Sequence, residues 1–293
     1  MTDDADEAPT ADTLAEAPAA PEPDDASASD DTPAAPNETV EIIKTVVYAL
    51  LIALVLRIFI FQPFTIPSSS MRPNLLIGDY VIVSKFSYGY SRHSIPFSPP
   101  LFKGRLFSGT PKRGDVIVFK TPAEGHKDLI KRLIGVPGDT IQVTDGVLSV
   151  NGVALPKVAD GMADGDESAC PNGAVPLRFW ETNPIGRRYI TYDCGEGDLD
   201  NTDVYVVPEG QYFFMGDNRD NSLDSRVSAE LGGVGYVPAE NLMGKAETVL
   251  ASWKQGAALY KPWTWVLNLR WNRFFHSMTA PTVAMPGPAA NTP

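Results

Sequence analysis

Histidine and cysteine are scarce, with three His and two Cys in 293 residues. A structural zinc site takes four such ligands. His93, His126 and His276 are scattered along the chain, so the composition argues against a resident metal. The same scarcity leaves few bases for a histidine-activated nucleophile. His93 and His126 sit in turn-rich stretches and His276 beside an aromatic C-terminal segment, so each reads as a surface or structural residue. Basic residues are missing altogether from residues 1–41. That segment holds 13 of the 36 acidic residues, which leaves 23 against 24 Lys and Arg in the rest. The net charge of −12 therefore belongs to the tail. The near-neutral body offers no basic surface to track phosphates, which excludes a nucleic-acid partner. Large apolar residues are also nearly absent from 1–41, so it cannot bury enough surface to offset the entropy of ordering and reads as disordered. Finally, no stretch between 79 and 250 keeps a 3.6-residue apolar period, which excludes a helical body.

What is present begins with an apolar run at 42–61, IIKTVVYALLIALVLRIFIF. Its length matches a bilayer core, which needs ~20 helical residues. Lys44 and Arg57 lie near its ends, where long basic side chains reach the interface. A cleaved secretory signal is the rival reading. Against it stand the acidic tail before the run and a length beyond that of a signal core. The run reads as one retained transmembrane anchor.

From residue 79 the texture changes to short runs rich in Val, Ile, Tyr and Phe, punctuated by Gly, Pro and Asp. Strands are expected at 79–86, 114–120, 128–136, 140–152, 204–207 and 211–217. Asp145-Gly146 marks a hairpin within 140–152. The fold class is all-β: an antiparallel-sheet body over 62–152 and 204–253, with a β-rich subdomain inserted at 153–203, behind one N-terminal transmembrane helix. Residues 87–111 read as a long excursion, with Phe97, Leu101 and Phe102 placed to touch lipid. The insertion carries Cys170 and Cys194, which form either a disulfide or two free thiols. An extracytoplasmic body favours the disulfide, whose loss would loosen the insertion more than any catalytic motif. Residues 254–293 form an aromatic segment and tail. On a helix over 262–275, Trp263, Leu267, Trp271 and Phe274 share one face, which would lie on a membrane surface or on the β body. Residues beyond 279 read as a frayed tail.

Three stretches carry candidate chemistry. In QPFTIPSSSMRPNLLIG, 62–78, the prolines stop a helix, so Ser68, Ser69 and Ser70 sit in extended or turn backbone at the mouth of the anchor. A serine hydroxyl needs a base before it attacks. In DLIKRLIGVPGD, strand alternation puts Leu129, Lys131 and Leu133 on one face. A lysine between two leucines loses hydration, which lowers its pKa from ~10.4 toward a range where it can act as a base. The third stretch, GDNRDNSLDSR, packs three Asp and two Arg into 216–226. Its D-x-N-x-D alternation invites a calcium reading, but the glycine and terminal glutamate of an EF-hand loop are missing at the needed offsets.

Together, IPSSSMRPNLLIGD (66–79), RGDVIVFK (113–120), DLIKRLIGVPGD (128–139) and GDNRDNSLDSR (216–226) resemble the motifs of bacterial type I signal peptidases, the membrane-bound leader peptidases. They follow the family order behind a membrane segment. The resemblance implies a serine endopeptidase that removes signal peptides from exported precursors after small residues, A-x-A, through an acyl-enzyme. It implies Ser70 as nucleophile, Lys131 as general base, and an oxyanion hole from the Ser70 amide and the Ser68 hydroxyl. Ser222 is implied to hydrogen-bond and orient the lysine, with Asp224 and Arg226 as a supporting ion pair. Phe64, Ile66, Pro67, Met71, Leu75 and Ile130 are implied to form the substrate pockets. No cofactor is implied. The implied partners are signal-peptide-bearing precursors, membrane lipid and the export machinery. The implied location is the inner membrane, single-pass, with the catalytic domain on the extracytoplasmic side. Two positions depart from the family pattern: Ser69 stands where many members have Gly, and Asn74 where Thr is common.

Overall fold

The computed structural model describes residues 37–95, 98–100, 102–107, 109–123, 127–163, 170–171, 173–254 and 261–284. Most of the acidic tail, Phe97, Leu101 and His126 lie outside these. The first element is helix α1, Glu38–Phe59. It starts where Asn37 caps it: the Asn37 side chain accepts from the Thr39 amide at 3.3 Å, as good N-caps do. Glu38 and Glu41 occupy its first turn and Arg57 its last, which suits the helix dipole. It is the one helix among the described residues long and apolar enough to cross a membrane, over Glu38–Arg57. The helix starts earlier than the apolar run and ends two residues sooner, because Phe61 already belongs to a strand.

The strands are β1 Phe61–Thr65, β2 Asp79–Ser84, β3 Val116–Lys120, β4 Asp128–Gly135, β5 Thr140–Thr144, β6 Val147–Val150, β7 Val153–Ala154, β8 Lys157–Met162, β9 Leu177–Thr182 and β10 Arg188–Asp193. They continue with β11 Tyr205–Val206, β12 Gln211–Met215, β13 Val237–Pro238, β14 Leu242–Ser252 and β15 His276–Ser277. The main sheet runs β1-β2-β14-β3-β4-β12-β13, with β15 on β14. A second sheet runs β11-β5-β6-β7 and a third β10-β9-β8. All their ladders are antiparallel, so the all-β expectation is borne out. Strand β1 contains Pro63, which lacks a ladder donor. It is tolerated because β1 pairs only with β2, at the sheet edge. The β5–β6 hairpin turns on Asp145 and Gly146, both with positive φ.

The middle of the main sheet is covered on both faces. Val116 and Val118 pack with Ile66, Met71, Leu75, Val81 and Val83. Ile117 and Phe119 pack with Leu133, Phe214 and Leu242. That explains why VIVF reads as an unbroken apolar run instead of an alternation. It also means that neighbouring residues of β4 are both buried.

Two expectations for the C-terminal part are corrected. Residues 262–275 do not form one helix. Helix α2 covers only Pro262–Leu267. Asn268 then turns the chain, its carbonyl accepting from Lys254 N–H at 2.8 Å, and Arg270 binds Ile77 O, Ser252 Oγ and Trp253 O at 3.0–3.1 Å. These tertiary bonds outcompete a further helical turn. Nor does the chain fray at once beyond 279, although residues 285–293 of the expected tail lie outside the described residues. The amide of Arg188 donates to Pro281 O and that of Val283 to Gly186 O, so 281–283 lie along the β9–β10 hairpin. Cys170 and Cys194 are joined by a disulfide with Cα atoms 5.7 Å apart. It ties the open end of the same hairpin, since Cys194 directly follows β10.

Candidate active site

The site grows from the end of β1. Ile66 N–H donates to Asp79 O and Gly78 N–H to Ile66 O, which closes 66–79 into a loop. Ser70 is buried inside it, at 7% exposure, while Ser68 is exposed. Their hydroxyl oxygens are 3.4 Å apart. From β4, Lys131 reaches across and its Nζ donates to Ser70 Oγ at 2.5 Å. Lys131 is 3% exposed. Burial, the largest effect, strips the hydration of its ammonium. Asp224 and Asp217 partly offset that, Arg226 and Lys127 add to it, and the pKa falls from 10.5 to about 8. A hydroxyl and an easily deprotonated amine thus share a hydrogen bond, an arrangement suited to general-base activation of the oxygen.

The third stretch packs beneath this pair. The Asn218 amide donates to Ser70 O at 3.0 Å, and Asn221 Nδ2 donates to Ser69 Oγ at 2.9 Å. Asp224 and Arg226 form an ion pair at 2.9 Å, both side chains almost wholly buried. Burial pushes the Asp224 carboxyl up, but the Arg226 guanidinium and the Gly216 amide hold it below its ordinary value. Ser222, expected to orient the lysine, lines the same cleft as Ser70 and Lys131. Its hydroxyl is buried and makes no hydrogen bond among the described residues. The lysine amine donates to Ser70, and Ser222 packs against the backbone of Gly216.

An open cleft of about 470 Å³ runs along Ser68–Ser70 and Lys131. Its other walls include Thr121, Ala123, Leu129, Leu199, Asp220, Asn221, Ser222 and Val234. Of the apolar residues expected at substrate pockets, Ile66, Met71 and Leu75 are core residues at 3%, 1% and 0% exposure, and Phe64 and Ile130 pack against that cluster. Pro67 is exposed. His93 bonds Ser98 and Arg92, and His276 sits in β15. No group of three or more His, Cys, Asp or Glu among the described residues is arranged to hold a metal.

Three site-supporting features escaped the sequence reading. Arg132 is buried beside Lys131 and grips Asp217 through two bonds at 2.6 and 2.7 Å. Burial works against that charge, but Asp217 outweighs it and the Arg132 pKa is raised. Asn74, noted only as a departure from pattern, donates to Asp217 Oδ2 at 2.8 Å and to Ile190 O at 2.7 Å. Gly216 is required by close approach: a Cβ there would lie 2.3 Å from Ser222 Oγ and 2.5 Å from Ser70 O. The density of charge in 216–226 was the only sequence signal for the first of these, and it did not specify partners.

Comparison with known proteins places the chain among relatives. The model of the signal peptidase family, peptidase S26, matches residues 39–253. Signal peptidase I of Rickettsia typhi is 40% identical over 251 residues, covering 79% of this chain and 90% of the relative. That of Rickettsia canadensis is 39% identical over 253 residues, covering 80% and 92%. A crystal structure of a signal peptidase I from Enterococcus faecalis V583 is 30% identical, covers 46% of this chain and 96% of its own, and superposes with a TM-score of 0.27. With a family model spanning most of its length and curated relatives alike along four fifths of it, this chain belongs to the signal peptidase family, peptidase S26, and is a serine peptidase.

Proposed function

We propose that this protein is a membrane-bound serine endopeptidase that removes N-terminal signal peptides from exported precursors, cleaving after small residues in an A-x-A pattern through a Ser70–Lys131 dyad. The observation that carries the proposal is the 2.5 Å contact between Lys131 Nζ and Ser70 Oγ, made by a buried lysine whose pKa is lowered to about 8. The cleft along Ser68–Ser70 is the place for the peptide.

In the proposed reaction, neutral Lys131 takes the Ser70 proton as Oγ attacks the scissile carbonyl carbon. The carbonyl oxygen becomes an oxyanion, which the Ser70 amide and the Ser68 hydroxyl stabilise. Each such donor is worth roughly 2.7–4 kcal/mol in other hydrolases. The Lys131 ammonium then passes its proton to the leaving amine, the C–N bond breaks, and an ester on Ser70 remains. Water, deprotonated by Lys131, attacks that ester; the C–Oγ bond breaks, the Lys131 ammonium returns its proton to Ser70 Oγ, and the signal peptide leaves with a new carboxyl group that ionises in water. The buried Asp224–Arg226 pair holds the loop that carries these contacts. Phe64, Ile66, Pro67, Met71, Leu75 and Ile130 are proposed as the source of the small-residue preference, the packed ones by fixing the loop's shape.

Helix α1 fits a single membrane span. It is proposed to hold the body on the extracytoplasmic side of the inner membrane, with residues 1–41 in the cytoplasm. The anchor then puts the cleft at the surface where a signal peptide's apolar core resides, which raises the effective substrate concentration. Membrane lipid and the export machinery are proposed partners on the same ground. The test is in vitro processing of a precursor by the wild type, Lys131→Ala and Lys131→Arg. Both variants should be inactive, since arginine stays charged. Wild-type processing by Lys131→Arg would end the dyad reading.

A further inference from the structure

The β9–β10 hairpin has no part in the chemistry above, yet three sets of bonds tie it to the 216–226 loop. The Tyr192 amide donates to Asp217 O at 2.8 Å and the Arg219 amide to Tyr192 O at 3.0 Å, so the end of β10 runs as a parallel bridge beside Asn218. Past the end of β10, the Cys194 amide donates to Asp220 Oδ2 at 2.6 Å. In β9, Glu181 is 1% exposed. Its Oε1 accepts from Arg219 Nη2 at 2.7 Å and from the Tyr189 hydroxyl at 2.8 Å. Arg219 carries the contact onward. Its Nε donates to Gly216 O at 3.2 Å, and its carbonyl accepts from Arg226, the partner of Asp224. Gly216 is the residue against which Ser222 and the Ser70 carbonyl pack.

One arginine therefore links a charged side chain of the outer sheet to the backbone beneath Ser70. A buried ion pair is weak evidence of stability, because desolvation offsets its attraction. Its two ends do have to meet in one geometry, and here one end is the loop under the reacting groups. We infer that the β9–β10 hairpin is a clamp on the 216–226 loop, with Glu181 as its positioning residue, an inference that rests on Ser70 and Lys131 being the reacting pair. A loop held less firmly would misplace Ser70 relative to Lys131 without altering what the cleft binds, so kcat should suffer more than KM.

The test uses the full chain in detergent micelles with a signal-peptide-bearing precursor as substrate. Glu181→Gln keeps the side chain's shape and removes its charge. It should lower kcat about tenfold with KM little changed, and Glu181→Asp should recover part of the loss. Tyr189→Phe, which removes one bond to Glu181 and leaves no charge unpaired, should lower kcat about threefold. Asp160→Asn breaks the outward-facing Arg178–Asp160 ion pair on the same sheet and should leave kcat unchanged. Wild-type kcat in a folded Glu181→Gln protein would overturn the clamp. If that variant does not fold, wild-type kcat in Tyr189→Phe overturns it instead. Ser70→Ala runs alongside. An inactive Ser70→Ala beside a fully active Glu181→Gln removes the clamp alone, whereas an active Ser70→Ala removes the reacting pair and the clamp with it.

Discussion

Lys131 and Arg132 are consecutive on β4, both nearly without solvent exposure, and only Arg132 has a carboxylate partner. Arg132 donates to both oxygens of Asp217 through Nε and Nη2, and its guanidinium lies 4.0 Å from the centre of the Tyr189 ring. Lys131 points to the other face and meets a hydroxyl. The carboxylates Asp217 and Asp224 act on it from a distance, too weakly to cancel the loss of hydration. The strand thus holds a fixed cation on one side and a titratable amine on the other. Reversing the two residues would leave the serine beside a charge that cannot be removed.

Activity should therefore rise along a limb near pH 8, as the Lys131 ammonium loses its proton. Stability should respond in the same window. The folded pKa, about 8, lies below the ordinary 10.5, so the unfolded chain keeps a proton that the folded chain releases. Stability then falls as pH drops from 10.5 to 8 and is level below that. The interval corresponds to about 3 kcal/mol. Lys85, also buried and lowered to about 8, contributes in the same range, so the Lys131 part is read as a difference. Urea unfolding of Lys131→Met should give a shallower slope between pH 8 and 10.5 than wild type. Equal slopes would contradict the buried, neutral lysine.

Ser70→Ala should abolish precursor processing while the protein still folds and inserts. Ser69→Ala should keep substantial activity. It removes one hydrogen bond from Asn221, worth about 1 kcal/mol, and leaves the Asn218–Ser70 main-chain bond in place. Paired assays of the two variants check the assignment. An essential Ser69 with a dispensable Ser70 would show that the wrong serine has been chosen.

The orientation of the body has a direct measurement. Protease added to intact spheroplasts should digest the β body and spare residues 1–41. The reverse pattern would place the cleft in the cytoplasm.

Much of the architecture was legible because strand runs are local. Alternation and Gly, Pro and Asp punctuation located β2 to β6, β11 and β12. What escaped was set by distant partners. Strand β14 was missed because Gly244, Lys245 and Glu247 break its apolar pattern. Those positions lie among register shifts, and Lys245 and Glu247 pair with each other at 2.9 Å. The aromatic stripe at 262–275 is a sound local helix pattern, but Arg270 and Asn268 bond the main sheet's end instead. Alternation put Lys131 on the face of Leu129 and Leu133, but it says nothing of what covers Arg132 on the other face. A second layer on the other face and Asp217, 85 residues away in sequence, bury it.

The disulfide should matter more to the site than its place in the insertion implied. Cys194 is bonded to Cys170 and, through its amide, to Asp220, a wall of the cleft. With its ends 24 positions apart in sequence, the bridge gives roughly 3 kcal/mol of stabilisation on the chain-entropy account. The Cys170→Ala/Cys194→Ala protein should unfold at lower temperature and process precursor with a several-fold lower kcat. Thermal melts and steady-state kinetics on the same preparation check both. Lower stability with an unchanged kcat would mean that the bridge serves the outer sheet alone.

Gly216 offers the most local test of the packing under the reacting pair. It needs no special φ; what it lacks is room. A Cβ would sit 2.5 Å from the Ser70 carbonyl oxygen, 2.5 Å from Ser222 Cβ and 2.3 Å from Ser222 Oγ. None of these can remain, so either the loop or the serine segment must move. The Ser70 carbonyl is held by the Asn218 amide at 3.0 Å and the Gly216 amide by Asp224 at 3.0 Å, so the displacement falls on groups that fix Ser70. Overpacking of this kind typically costs about 1–3 kcal/mol. Gly216→Ala should remain folded with a lower melting temperature and lose at least about tenfold in kcat. Adding Ser222→Ala removes the hydroxyl but not the clash with the Ser70 carbonyl, so it should restore little of that loss. Full recovery of kcat in Gly216→Ala/Ser222→Ala would show that the glycine makes space for Ser222 only, and that the Ser70 backbone tolerates the shift.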